Sequence, residues 1–172
     1  TSAKEITGYT LKEEPTNKNG NYIEGNIDVI YYYTKNDGNI TENELVKEGT
    51  EFVSNINDTF SYALKYTGKV EEYVGKATLT ITDTLPGAII ENESTLNGGV
   101  YNSEKNTITW TKTYSITEYQ SVYTVSERIN YTVKYQDYLS KNGSNLINTV
   151  YGNTTVSHEN VEDKITSGKE DT

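Results

Sequence analysis

Hydrophobic and polar positions alternate along most of this chain with the period of two that marks half-buried strands. In Thr59–Tyr66, Phe60, Tyr62, Leu64 and Tyr66 share one face, and Ser61, Ala63 and Lys65 the other. Ala77–Leu85 repeats the pattern, with Leu79, Ile81 and Leu85 opposite Thr78, Thr80, Thr82 and Thr84, and it stops at the turn signal Pro86-Gly87. Val100–Asn102 and Thr107–Thr113 flank Ser103-Glu104-Lys105-Asn106 and read as a hairpin. Ser121–Tyr135 alternates over a longer span, and Leu146–Ser157 supplies a last core strand. Nearer the start, Ile6–Glu13 and Ile27–Thr34 enclose a turn-rich stretch from Pro15 to Gly20. Leu45–Lys47 opens the later run of strands. Asp137–Asn145 has room for a short helical turn, and His158–Thr172 reads as an acidic edge strand or a linker. No window carries the 3.6-residue period of a long amphipathic helix.

Strands at this spacing predict an all-β fold: a two-sheet antiparallel immunoglobulin-like sandwich with a small N-terminal β-hairpin unit. The polar stretch Lys35–Thr41, with its Asp37-Gly38 turn signal, sets the division. Residues 1–38 form the N-terminal unit, 39–160 the sandwich, and 161–172 a polar tail or linker.

Three residues break the pattern. Asp83 falls in register with Leu79, Ile81 and Leu85, Asn148 with Leu146 and Val150, and Lys47 with Leu45. An isolated charge in a core costs several kcal/mol, so such a group neutralises or finds a partner. Burial favours the neutral forms of both an amine and a carboxyl group. A neutral Lys47 amine can attack the side-chain carbonyl carbon of Asn148, with Asp83 polarising that carbonyl and moving the protons, and release ammonia. The product is one amide bond per molecule, not turnover, and contact between the pair supplies the effective molarity the step needs. The same residues also read blandly: Lys47 as an exposed residue at a strand start, Asn148 as a turn cap and Asp83 as a loop residue. Lys65 is the rival nucleophile, and Asn145 and Asn153 are the rival acceptors. All three lie on the opposite parity.

Composition adds a motive for such a bond. Of 172 residues only 33% are hydrophobic, there is no Cys or Met, and 16 Tyr stand against two Phe and one Trp, so the core is thin and lacks disulfide staples. A link across about 100 residues, treated like a disulfide, removes about 4.7 kcal/mol of unfolded-chain entropy. The formal net charge of −10, from 25 acidic and 15 basic residues, argues against nucleic acid and anionic membrane as partners. No apolar run reaches membrane-spanning length. With neither a signal peptide nor a wall-sorting tail, the chain reads as a piece of a longer protein.

Other signals carry less. His158 is the only histidine, which removes histidine-based triads. Asp37-Gly38-Asn39 lacks the spaced acids of a calcium loop, so neither a metal nor a cofactor is expected. A Thr-to-Gln ester would need Gln120 or Gln136, the only glutamines, and neither lies on the last strand. No convergent pair of carboxylates suggests a glycosidase. Tyr31–Tyr33, Tyr114, Tyr119 and Tyr123 form a possible ligand face or simply cover strands.

Two resemblances sharpen this reading. Lys47-Glu48-Gly49-Thr50, Leu79-Thr80-Ile81-Thr82-Asp83-Thr84-Leu85-Pro86 and Leu146-Ile147-Asn148-Thr149-Val150 resemble, in this order, the isopeptide-forming domain of Gram-positive collagen-binding-type adhesins over residues 42–160. The resemblance implies a bond between Lys47 and Asn148 with Asp83 as its catalyst. Gly8-Tyr9-Thr10-Leu11, Pro15, Gly20-Asn21-Tyr22 and Val29-Ile30-Tyr31-Tyr32-Tyr33 are similar to the C-terminal half of a mucin-binding-protein (MucBP) repeat. Together they imply an extracellular stalk or adhesin module, anchored to the cell wall through a C-terminal region outside this sequence. Its partners would be neighbouring domains of the parent chain and a host glycoprotein or matrix, in a setting of virulence. A module that binds mucin, glycan or collagen directly, without a cross-link, is the alternative.

Overall fold

A computed structural model describes residues 2–20, 28–36, 38–49, 59–136, 147–157 and 164–171. Eight strands account for most of them: β1 (Tyr9–Glu13), β2 (Tyr32–Lys35), β3 (Asn39–Gly49), β4 (Phe60–Thr84), β5 (Val100–Asn102), β6 (Thr107–Val133), β7 (Thr149–Ser157) and β8 (Lys164–Asp171). One 3-10 turn, Glu91–Glu93, is the helical element among the described residues.

The N-terminal unit is the antiparallel pair β1–β2, with Tyr9 opposite Lys35 and Leu11 opposite Tyr33. The first strand of the larger sheet, β3, begins at Asn39. The six strands of that sheet are hydrogen-bonded in the order β5-β6-β4-β7-β8, with β3 on β4 as well. Every pairing is antiparallel.

The sandwich is built from two strands that run through both layers. β4 spans 25 residues and β6 27, where the alternation suggests two separate strands in each. They pair from Phe60↔Val133 to Thr84↔Thr107, and the register shifts between Tyr73 and Gly75. There one residue of β4, Val74, faces the three residues Thr117–Tyr119 of β6, a bulge that bends the ladder. Gly75 has φ 154°, in the region that disfavours side chains, so a glycine sits at the bend. The first half of β4 carries β3 and the second half of β6. The second half of β4 carries β7 and the first half of β6.

Folding at the bend brings the two inner faces together. Leu64, Tyr66, Val70, Val125, Tyr131 and Val133 from one layer meet Leu79, Ile81, Ile108 and Val150 from the other, all nearly inaccessible to solvent. Each such aliphatic side chain contributes roughly 1.5–3 kcal/mol by leaving water. The Tyr66 hydroxyl lies 2.8 Å from Thr154 Oγ1 and donates to Asn43 Oδ1 at 2.6 Å, so a buried tyrosine between layers keeps its polar tip satisfied. At Gly152 the layers approach closely: a Cβ would stand 3.0 Å from the Tyr66 ring and 3.3 Å from Leu45. The outer faces are polar, with Thr78 and Thr82 beside Thr113 and Thr109 across the strands.

The all-β antiparallel sandwich with a small N-terminal hairpin is therefore the observed fold. Residues 164–171, within the stretch read as an acidic edge strand or a linker, pair with β7 as the edge strand β8. The expected turn at Asp137–Asn145 lies outside the described residues.

Candidate functional site

Lys47, Asp83 and Asn148 meet between the layers. β3 presents Lys47, whose Cα partner on β4 is Leu64. The far half of β4 presents Asp83, whose neighbours are Ile108 on β6 and Val150 on β7. Asn148 immediately precedes β7. Side-chain exposure is 5% for Lys47 and 0% for Asp83. Asn148 is buried as well.

The Lys47 ammonium donates to Asp83 Oδ1 at 2.8 Å and to the main-chain carbonyl of Asn148 at 3.0 Å. It also lies 5.0 Å from the centre of the Tyr62 ring, within cation–π reach. The sequence expectation has Asp83 hydrogen-bonded to the side-chain carbonyl of Asn148. In this arrangement Asp83 instead meets Lys47 and Tyr131, and Lys47 reaches Asn148 through its backbone. Both polar atoms of the Asn148 side chain are buried without a hydrogen-bond partner among the described residues. Each such unsatisfied group costs about 1–3 kcal/mol.

Tyr131 is the residue that sequence reasoning missed. Its phenol donates a hydrogen bond to Asp83 Oδ2. Burial first, then the charge of Asp83 and the hydrogen bond to it, push the Tyr131 phenol far above its ordinary range. The neighbouring Asn148 amide acts weakly in the opposite direction, by proximity and without a well-formed bond. Tyr131 shares the parity of Val125, Ile129 and Val133, so the alternation places it inside. A buried phenol needs a partner, and that requirement was the available signal. Around it, Tyr62 stacks at 5.2 Å and Trp110 tilts at 5.0 Å between ring centres. These rings exclude water from the ion pair. Phe60 and Tyr135 extend the aromatic wall at 5.1 Å, and burial pushes the Tyr135 phenol up as well.

The rivals lie elsewhere. Lys65 is exposed on the opposite face of β4, and Asn153 sits half-buried on the outer side of β7. Asn145 and His158 lie outside the described residues. Gln120 and Gln136 are exposed. Of the tyrosines read as a possible ligand face, Tyr114 and Tyr123 pack edge to face at 6.4 Å, and the Tyr114 hydroxyl donates to Glu127. Tyr119 lies against Gly8 of the N-terminal unit. These three rings cover structure, whereas Tyr9 and Tyr32 on the hairpin are 44% and 60% exposed. Among the described residues no cluster of metal-ligating side chains occurs.

Comparison with known proteins gives two similarities. Residues 1–34 match the MucBP domain. Over 115 residues the chain is 31% identical to Internalin J of Listeria monocytogenes serotype 4b, covering 67% of this chain and 12% of that protein. No solved structure matches the chain. No helix among the described residues is long and apolar enough to cross a membrane. The chain is thus similar to the MucBP domain over residues 1–34 and spans about an eighth of the length of the curated relative it matches.

Proposed function

We propose that residues 39–160 form a tension-bearing module of a cell-wall-anchored bacterial surface protein, locked by a self-made amide bond between Lys47 Nζ and Asn148 Cγ. One observation carries the reading: a buried lysine shares an aspartate with the inner faces of both layers, beside a buried asparagine amide that has no hydrogen-bond partner among the described residues. An ion pair alone is weak support for stability, because desolvation offsets much of its attraction. A reactant pair explains why the asparagine side chain is held there unsatisfied.

The chemistry balances without a cofactor. The Lys47 ammonium passes one proton to Asp83 Oδ1 along the existing hydrogen bond. The neutral amine adds to Asn148 Cγ, and Asp83 carries a proton to Nδ2. The Cγ–Nδ2 bond breaks and the remaining surplus proton leaves with the nitrogen, as ammonium. Asp83 ends as the carboxylate it began as. The intact mass of the denatured chain tests this. The wild type is expected to fall short by about 17 Da, one ammonia, and the Lys47→Ala, Asp83→Ala and Asn148→Ala chains to show no deficit. A wild type at full mass rejects the bond.

A second reading concerns residues 1–34, where the MucBP match points to a mucin-type glycoprotein as ligand. The exposed rings of Tyr9 and Tyr32 suit stacking on sugars. Titrating the chain against purified mucin, with the Tyr9→Ala/Tyr32→Ala double variant as comparison, decides it. Binding that the double variant retains in full places the contact elsewhere, and no binding by the wild type rejects this reading.

A further inference from the structure

The two oxygens of Asp83 have different partners, and this asymmetry carries a further assignment. Oδ1 faces the Lys47 ammonium at 2.8 Å, whereas Oδ2 receives the Tyr131 phenol. Resting on the cross-linking reading above, we infer that Tyr131 is a positioning residue for bond formation: it occupies Oδ2, holds the Asp83 carboxyl group in one orientation and confines proton traffic to Oδ1, the oxygen that faces Lys47.

The geometry supports this in three ways. First, Tyr131 arrives from the second half of β6, in the layer that also holds Lys47, whereas Asp83 belongs to the other layer. The hydrogen bond therefore forms only when the layers close, which ties the arming of Asp83 to completion of the fold. Second, the ring is fixed on two sides by Tyr62 and Trp110, and its fractional exposure is 2%, so its hydroxyl has little freedom to turn away. Third, the Asn148 amide stands beside the same phenol. The hydroxyl thus lies next to both the proton carrier and the group under attack.

The reactive pair holds one proton between Lys47 and Asp83. Without the phenol on Oδ2, the carboxyl group is free to turn its oxygens away from Lys47, and this loss of orientation slows the step by about tenfold or more.

The test follows the mass deficit with time in full-length chain recovered unfolded in denaturant and diluted into buffers of graded pH. Wild type, Tyr131→Phe and Tyr66→Phe are compared. Tyr66→Phe removes an equally buried hydroxyl that bonds Thr154 and Asn43, so it controls for a general loss of stability. Tyr131→Phe should link about tenfold or more slowly than wild type and Tyr66→Phe at close to the wild-type rate, with urea unfolding of each on the unlinked Asn148→Ala background reporting the stability each has lost. Should Tyr131→Phe link at the wild-type rate, the assignment fails. Equal slowing in the two phenylalanine variants also overturns it, since loss of packing alone would do that. A wild-type chain that loses no ammonia at any pH defeats the cross-linking reading itself, whereas a linked wild type beside an unaltered Tyr131→Phe defeats only this inference.

Discussion

At the scale of single residues, the protein keeps a lysine and an aspartate away from water and spends polar contacts on both. Removing one partner leaves the other's charge buried without its counter-charge. Lys47→Ala should therefore cost about 3–5 kcal/mol beyond any loss of cross-link, read from urea unfolding. Measured against unlinked Asn148→Ala, a difference below about 1 kcal/mol would mean that the pair is not desolvated as described. The tyrosines give a second test. Folding raises the Tyr131, Tyr135 and Tyr66 phenols above the ordinary value of about 10. In the unfolded chain they lose protons first as pH rises, so their contribution is complete below about pH 10 and declines above it. An alkaline titration of phenolate absorbance should show a fraction of the 16 tyrosines ionising only as the β-sheet circular dichroism signal collapses. Ionisation of all of them in one step near pH 10, with the fold retained, would contradict this. Parity in the sequence was enough to place Lys47, Asp83 and Asn148 on inward positions, because a one-residue shift would have put leucines in water. Tyr131 escaped notice because tyrosine fits either a core or a surface, and only its hydroxyl's partner, set by tertiary contact, distinguishes the two.

At the scale of elements, the bend at Tyr73–Gly75 turns two long strands into two layers. The sequence showed the alternation on both sides of the bend but not that the strands were continuous. A glycine and a break in period look alike whether a chain bulges within a strand or leaves the sheet. The edge strand β8 stayed open against a linker for a related reason: a polar, acidic segment can pair through its backbone without any apolar face. Close approach of the layers depends on Gly152, whose position admits no Cβ without movement of Tyr66. Gly152→Val should lower stability by about 1–3 kcal/mol through overpacking and slow cross-linking by separating Lys47 from Asp83. Thermal unfolding and the rate of mass loss report the two effects. An unchanged melting temperature would mean that the layers are looser at Gly152 than this packing requires.

At the scale of the whole molecule, the Lys47–Asn148 bond would join positions 101 residues apart. It would convert β4, β5 and β6 into a closed loop. Tension entering along β3 would pass through the bond to β7 and leave most of the sandwich unloaded. Single-molecule stretching should then release only chain outside residues 47–148. The missing extension is about 340 Å, from about 3.4 Å per residue. Asn148→Ala should restore that length, and a wild type that extends fully would show that no covalent path exists. The same closed loop would remove about 4.7 kcal/mol of unfolded-chain entropy.

Peptide mapping of the denatured wild-type chain after trypsin digestion is the most direct measurement, because it locates the joined atoms. A Lys47 whose amine is acylated is no longer a cleavage site. The account predicts one branched peptide that joins the segment containing Lys47 to the segment containing Asn148, lighter than their sum by about 17 Da, one ammonia. Cleavage after Lys47, together with a separate linear peptide carrying an unmodified Asn148, would contradict it.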